Sequence, residues 1–344
     1  MSGDIQIRKE GRAGRITLNR PQALNALTWD MCRAIEGALD TWAQDDAVAL
    51  LVIDGAGEKA FCAGGDIAEM HATGKAGDFD YARRFWADEY RMNAKLFNFP
   101  KPVASFLQGF TMGGGVGVGC HGSHRVVGES SRIAMPECGI GLVPDVGGSL
   151  ILARAPGRLG EYLGLTAARM GPGDAIHAGF ADYYLPEAGW DALKAELCDT
   201  GDWEAVDRAA QPAPESAMAA EATWIDRLFG GETLRDIFNA LRFSDGPVAA
   251  RALAAMEKNS PLSMACTVDL IHRVRGRDTI EGALELEYRF TSRAMEKGDF
   301  LEGIRAAIID KDRSPRWRHD RIDGAPATEV SGMLLPLGAD GLKL

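Results

Sequence analysis

Hydrophobic and polar positions alternate at the start of the chain and then change period. Ile5 and Ile7 alternate with polar residues, Gly11 and Gly14 supply a turn, and Ile16-Thr17-Leu18 resumes the pattern, which predicts a β-hairpin over residues 5–18. Pro21 stops the strand. Thr28 then offers an N-cap with Asp30 in the first turn, and Met31, Ile35, Leu39 and Trp42 recur at helical spacing through residues 29–43. The apolar run Ala49 to Asp54 reads as a buried strand, with a glycine loop and a short helix after Asp66. A longer helix lies between Phe79 and Phe97, with Phe85, Met92 and Leu96 on one side and Glu89-Tyr90 nearby, closed by Pro100 and Pro102. Short strands follow around Arg125-Val126-Val127 and Arg132-Ile133-Ala134. Strands alternate with helices to about residue 186, which predicts an α/β fold with a mostly parallel sheet of repeated ββα units. Residues 216–310 read as helices broken at Gly230-Gly231, Gly246-Pro247, Pro261 and Arg275-Gly276.

The chain divides on this reading into a core at 1–199, a helical C-terminal region at 216–318 and a polar tail at 319–344. Residues 200–215, rich in Ala, Asp, Pro and Gly, read as a linker, and the tail from Arg313 as loosely ordered except where Trp317 packs.

Two glycine-rich stretches follow apolar strands. The run Val103 to Leu107 leads into Gly109 and Gly113-Gly114-Gly115, which predicts a buried strand ending where a helix begins, its free N–H groups exposed to a ligand. Glycines in a helix cost roughly 1 kcal/mol each relative to Ala, so either close approach of a ligand or a tight turn packed on a neighbour must compensate. Phe61-Cys62-Ala63-Gly64-Gly65-Asp66-Ile67 forms the second stretch. If the two strands are parallel neighbours, the amides of Gly65 and Gly114 converge on one oxygen, the geometry that stabilises an oxyanion or enolate.

The bulk composition narrows the class. With 38 basic against 49 acidic residues, net charge −11, a nucleic-acid or anionic-membrane surface is disfavoured. No run of 18 apolar residues and no signal-like opening is present, so a soluble globular protein without a membrane partner is expected. Cys32, Cys62, Cys120, Cys138, Cys198 and Cys266 form no CxxC pair, which points to reduced thiols and the cytoplasm rather than a disulfide framework or zinc ribbon. His121 and His124, without carboxylate or thiolate beside them, read as helix-end histidines rather than metal ligands.

Glu137 and Asp145 lie in a segment punctuated by Pro136, Gly139, Gly141, Pro144, Gly147 and Gly148 that cannot be one regular helix. Such a loop can aim both carboxyls into one cavity, where Ile140, Leu142 and Val143 would desolvate them and raise their pKa; the alternative is a pair of helix caps on the surface. Gly117 to Gly122 matches GxGxxG but falls inside the helix, not at a strand-to-helix turn, so a dinucleotide site is rejected. Absence of GxSxG and of a P-loop disfavours a serine thioesterase and an NTPase.

Phe61-Cys-Ala-Gly-Gly-Asp-Ile67, Met112-Gly-Gly-Gly-Val-Gly117 and Met135-Pro-Glu137 resemble the crotonase (enoyl-CoA hydratase/isomerase) superfamily over residues 5 to about 186. Glu89-Tyr90, Gly141 to Gly148, Asn259-Ser260-Pro261, Glu287-Tyr288-Arg289 and Asp299 to Pro315 are similar to its 3-hydroxyisobutyryl-CoA hydrolase branch, extending the match to about residue 318. The resemblance implies a crotonase-like ββα spiral core with a helical C-terminal region. It implies hydrolysis of a short 3-hydroxyacyl-CoA thioester in valine breakdown, with a hydratase or isomerase acting on short acyl-CoA as the alternative. Gly65 and Gly114 fall on its oxyanion amides, Glu137 on the catalytic glutamate, Asp145 on the second acid group and Glu89 on a substrate-contacting position; Gly114, Glu137 and Asp145 also contact substrate. Typical hydratases carry a second glutamate at the position of Gly117, which disfavours a two-glutamate hydratase here. No metal or separate cofactor is implied, since CoA is part of the substrate. Lys59 is a candidate for the CoA phosphates, against an ordinary exposed lysine. The resemblance also implies a trimer or hexamer, against a C-terminal region that covers its own subunit.

Overall fold

The computed structural model describes residues 3–344. Two compact units are interleaved along the chain: one comprises residues up to Gly65, Arg91–Ala134 and Arg169–Ala217, the other Asp66–Tyr90, Met135–Ala168 and Met218–Leu344.

The first unit holds the strands. β1 (Ile5–Glu10) and β2 (Ala13–Leu18) form the expected antiparallel hairpin, pairing Ile5 with Leu18 and Ile7 with Ile16. β3 (Leu50–Gly55), β4 (Ala60–Cys62), β5 (Val103–Phe106), β6 (Phe110–Met112), β7 (His124–Val127), β8 (Arg132–Ala134) and β9 (Tyr183–Tyr184) complete the set. A six-stranded sheet runs β1-β2-β3-β5-β7-β9, and a three-stranded sheet runs β4-β6-β8. All pairings after the hairpin are parallel. Each successive pair, β3/β4, β5/β6 and β7/β8, places its first strand in the larger sheet and its second in the smaller one, which is the spiral of ββα repeats.

One face of the larger sheet is closed by the helix Trp190–Thr200. Leu50, Val52, Ala104, Phe106 and Val126 pack with Trp190, Leu193 and Leu197, and the Trp190 indole donates to the Leu185 carbonyl at 3.0 Å. Residues 200–215 are not a bare linker. The helix Ala205–Ala209 buries Val206 in this core, and Gln211 pairs with Tyr184.

The strand that feeds the glycine helix is β6, not the apolar run Val103 to Leu107. Three residues long and paired on both sides, β6 is too short to show a period. His124 begins β7 instead of ending a helix, and its ring stacks on Tyr183 at 5.6 Å.

The second unit is helical. The helix Asp80–Phe97 begins in it, and Gly148–Arg154, Leu159–Thr166, Pro261–Arg275 and Ile280–Lys297 lie wholly within it. The helix Pro261–Arg275 packs against Gly148–Arg154, Leu159–Thr166 and Ile280–Lys297. Buried Glu161 ties this bundle together, accepting from Arg158, Arg275 and His272 at 2.9 to 3.1 Å. The expected loose tail is folded here: Ala327–Met333 is a helix, Met333 and Leu334 are buried, and Arg293 donates to the carbonyls of Met333 and Leu335. Two buried apolar residues in a polar stretch are too few to register as a periodic pattern.

Candidate active site

In the first unit, β4 and β6 are adjacent and parallel, so the chain after each emerges at the same end of the small sheet. Gly65 lies just beyond β4, bridged to Leu27, and Gly114 opens the helix Gly114–Gly119 just beyond β6. At Gly113 the chain takes a φ of +51°, a left-handed turn that suits glycine. A Cβ at Gly115 would sit 2.2 Å from the Cys62 carbonyl oxygen, so the helix packs directly on the β4 backbone. Close packing therefore accounts for Gly115, while the first N–H groups of the helix have no partner within it.

Four acids crowd together in the second unit. Glu137 begins a 3₁₀ turn, Glu137–Ile140, and Asp145 follows in the loop before Gly148–Arg154; both are 4% exposed. Leu142 and Val143 are buried beside them, as the desolvating reading requires, and the surface-cap alternative fails. Glu89, from Asp80–Phe97, is 3% exposed, and Glu287, from Ile280–Lys297, is fully buried.

Burial and mutual repulsion act in the same direction on this cluster. Desolvation, then the charge of Asp145, holds Glu89 well above the usual carboxyl range, and the same two causes act on Glu137 with Glu287 adding to them. Asp145 is pushed up to about 7 by burial, moderated by the Tyr90 hydrogen bond. Glu287 is pushed up to about 8 by burial, against the hydrogen bonds from Ser149 and Gly147. The four cannot all be ionised at neutral pH, so they titrate as a set in which the proton moves between members.

Each acid has a fixed address. The Tyr90 hydroxyl donates to Asp145 Oδ2 at 2.6 Å. Glu287 accepts from the backbone N–H of Gly147 at 2.8 Å and of Ser149 at 3.1 Å, and from the Ser149 hydroxyl. Between Asp145 and Gly147, Val146 is held at φ +53°, a rare conformation for a β-branched residue that the surrounding bonds impose. The Glu137 turn is braced from behind: Ser260 N–H donates to the Cys138 carbonyl at 2.9 Å, and the Ser260 hydroxyl to Asp299 at 2.6 Å. By contrast, Glu137 Oε2 and Glu89 Oε1 are buried with no hydrogen-bond partner among the described residues. Buried polar atoms without a partner cost roughly 1–3 kcal/mol each, so two in one cluster indicate a place made for something else.

Thus Glu89, Glu137 and Asp145 come together in one unit, and Gly65 and Gly114 lie at one sheet end in the other. Tyr90, Glu287, Ser149 and Ser260 also hold this cluster together, and no local spacing assigns them a role, although Glu89-Tyr90, Glu287-Tyr288-Arg289 and Asn259-Ser260-Pro261 are stretches that carry the resemblance.

A family profile described as enoyl-CoA hydratase/isomerase matches residues 13–334. The chain belongs to that family. Among curated relatives, 3-hydroxyisobutyryl-CoA hydrolase, mitochondrial, of Gallus gallus is 36% identical, covering 100% of this chain and 91% of the relative. The human protein of that name is 35% identical, with 99% and 90% covered. A crystal structure titled an enoyl-CoA hydratase from Rhodobacter sphaeroides 2.4.1 aligns with TM-score 0.95 and 55% identity over 99% of this chain and 100% of that one. Another, titled a carnitinyl-CoA dehydratase from Mycobacterium thermoresistibile, aligns with TM-score 0.94 and 39% identity over 99% and 98%. This enoyl-CoA hydratase/isomerase family member is thus similar to relatives named for both hydrolysis and hydration. Among the described residues no helix is long and apolar enough to cross a membrane.

Proposed function

We propose that this family member hydrolyses a short 3-hydroxyacyl-CoA thioester, with 3-hydroxyisobutyryl-CoA of valine breakdown as the first candidate. The observation that carries the reading is the set of four buried acids, in which one carboxyl can be neutral while its neighbour is charged. The full-length likeness to relatives named hydrolases supports it.

In this reading the N–H groups of Gly65 and Gly114 hold the thioester oxygen and stabilise the charge that develops as the carbonyl becomes tetrahedral. Glu137, as carboxylate, either takes a proton from water or attacks the carbonyl carbon. In the second route a mixed anhydride forms as the C–S bond breaks, and water then cleaves it. Asp145 hydrogen-bonds the substrate hydroxyl or the incoming water and, carrying the proton of the pair, gives it to the departing sulfur, while Glu89 contacts the substrate. A hydratase route would need a second acid where Gly117 stands. CoA enters as part of the substrate, so no metal or further cofactor is called for. The six buried free cysteines fit a reducing compartment, and we place the protein in the cytoplasm, although the curated relatives are called mitochondrial. Assembly as a trimer or hexamer belongs to the same reading.

The test offers 3-hydroxyisobutyryl-CoA, 3-hydroxypropionyl-CoA and crotonyl-CoA separately. Free thiol is expected from the first two, with no hydration of the third. Glu137→Gln should lower turnover by on the order of 10²- to 10⁴-fold while thioester binding is kept. Hydration of crotonyl-CoA without thiol release would overturn the reading, as would a Glu137→Gln enzyme with near-normal turnover.

A further inference from the structure

Asp145 has two oxygens, and the structure treats them differently. Tyr90 is fully buried, and its hydroxyl, 2.6 Å from Oδ2, has one proton to give. The phenol oxygen lies 3.4 Å from Thr291 Oγ1, on the helix that carries Glu287, and Tyr288 packs edge-on against the Tyr90 ring with centroids 6.2 Å apart. The ring therefore has little freedom, and the hydroxyl is held from both sides. A buried tyrosine is satisfied by any backbone carbonyl. Pairing it with a desolvated carboxylate is a costly choice for stability and a selective one for chemistry.

Resting on the hydrolase reading, we propose that Tyr90 is a positioning residue for the reaction: its hydroxyl occupies Asp145 Oδ2, so the proton that Asp145 gains and gives during turnover is carried on Oδ1. Two consequences follow from the bond. Proton transfer by Asp145 has one direction instead of two. The ionised form of Asp145 also gains a donor that Glu137 lacks, so Asp145 takes the first negative charge of the set, and the reacting form, with Glu137 ionised and the proton on Asp145 Oδ1, is reached by moving the remaining proton within the pair.

The titratable and charged groups acting on one another here are Glu89 and Tyr90 from Asp80–Phe97, Glu137 from its turn, Asp145 from its loop and Glu287 from Ile280–Lys297. Their common sign means that loss of the Tyr90 donor is not made good by a nearby cation within this set. Activity that needs one proton on the Glu137–Asp145 pair rises with pH as the first proton leaves and falls as the second leaves.

The experiment measures kcat/KM against pH for the full chain, with Tyr90→Phe and with 3-fluorotyrosine placed at position 90 alone. Tyr90→Phe should move the acid limb up by about one pH unit. The fluorinated phenol, a stronger donor of nearly the same shape, should move it down, with KM little changed in either. A tyrosine that only fills space would lower kcat and leave the limb where it is. Both limbs standing at the wild-type pH would overturn the proposal. Infrared difference spectra of the Asp145 carboxyl, assigned with Asp145→Asn, follow the same proton without turnover. Opposite shifts there support Tyr90 even in an enzyme that releases no thiol, which separates this inference from the hydrolase reading. Unmoved carboxyl bands in both proteins would overturn it.

Discussion

Glu89 shows what a buried acid costs the fold. Burial and the charge of Asp145 raise its folded-state pKa above the unfolded value. An acid shifted this way holds its proton more firmly in the folded chain, so its penalty is absent below the ordinary carboxyl range and grows as pH rises toward the folded value. Glu89→Gln should therefore raise the melting temperature near pH 8 by the equivalent of about 1 kcal/mol, leave it unchanged near pH 4, and reduce activity. Thermal melts at the two pH values check this, and equal shifts at both would show that the Glu89 pKa is the same in the folded and the unfolded chain. Glu161 makes the opposite case. Its pKa is lowered to about 2 by hydrogen bonds from His272, Arg275 and Arg158, which outweigh burial. Its contribution is complete above the unfolded value near 4.5 and is lost as pH falls toward 2. Glu161→Gln should cost roughly 3 kcal/mol at pH 7 and much less at pH 2.5, as read from denaturant unfolding. Around Glu137 and Asp145 prolines and glycines break every regular alternative, which left a cavity or a pair of surface caps, and the resemblance chose the cavity. Tyr90 and Glu287 had no such local signal. The bond from Gly147 to Glu287 spans 140 residues, and no local spacing announces a partner at that distance.

Among the elements, the turn Glu137–Ile140 depends on a neighbour more than on its own residues. A Cβ at Gly303 would lie 2.0 Å from the Ile140 carbonyl oxygen, closer than any real contact, and one at Gly141, whose φ is +75°, would strike the Asp299 backbone. The helix Phe300–Ile304 therefore sets the position of Glu137 through bare backbone contact. Gly303→Ala should displace the turn, costing about 1–3 kcal/mol of stability. Activity should fall at least tenfold at temperatures where the variant remains folded. Wild-type kcat in a folded Gly303→Ala protein would mean that the turn tolerates the shift. Long periodic elements such as Trp29–Ala43 and Asp80–Phe97 could be read from residue spacing alone. β6 and β9, three and two residues long, could not, since each exists through pairing with strands elsewhere in the chain. The helix Ala327–Met333 is a third such element: its reason to form is a surface offered by residues 40 and more positions earlier.

For the whole molecule, the alternation of strand and helix predicted a mostly parallel sheet of ββα units and the resemblance implied its spiral, but neither could show that the two units take turns along the chain. The second unit is made of Asp66–Tyr90, Met135–Ala168 and Met218–Leu344. Its order of synthesis follows from that arrangement. The loop bearing Asp145 leaves the ribosome long before the helix that supplies Glu287, and Val146 has nothing to hold its unfavourable backbone angle in the meantime. The buried acids therefore take their final places only when the last third of the polypeptide has been made, and a nascent chain stopped short of that point carries Glu89, Glu137 and Asp145 without the Glu287 contacts that fix the loop after Asp145.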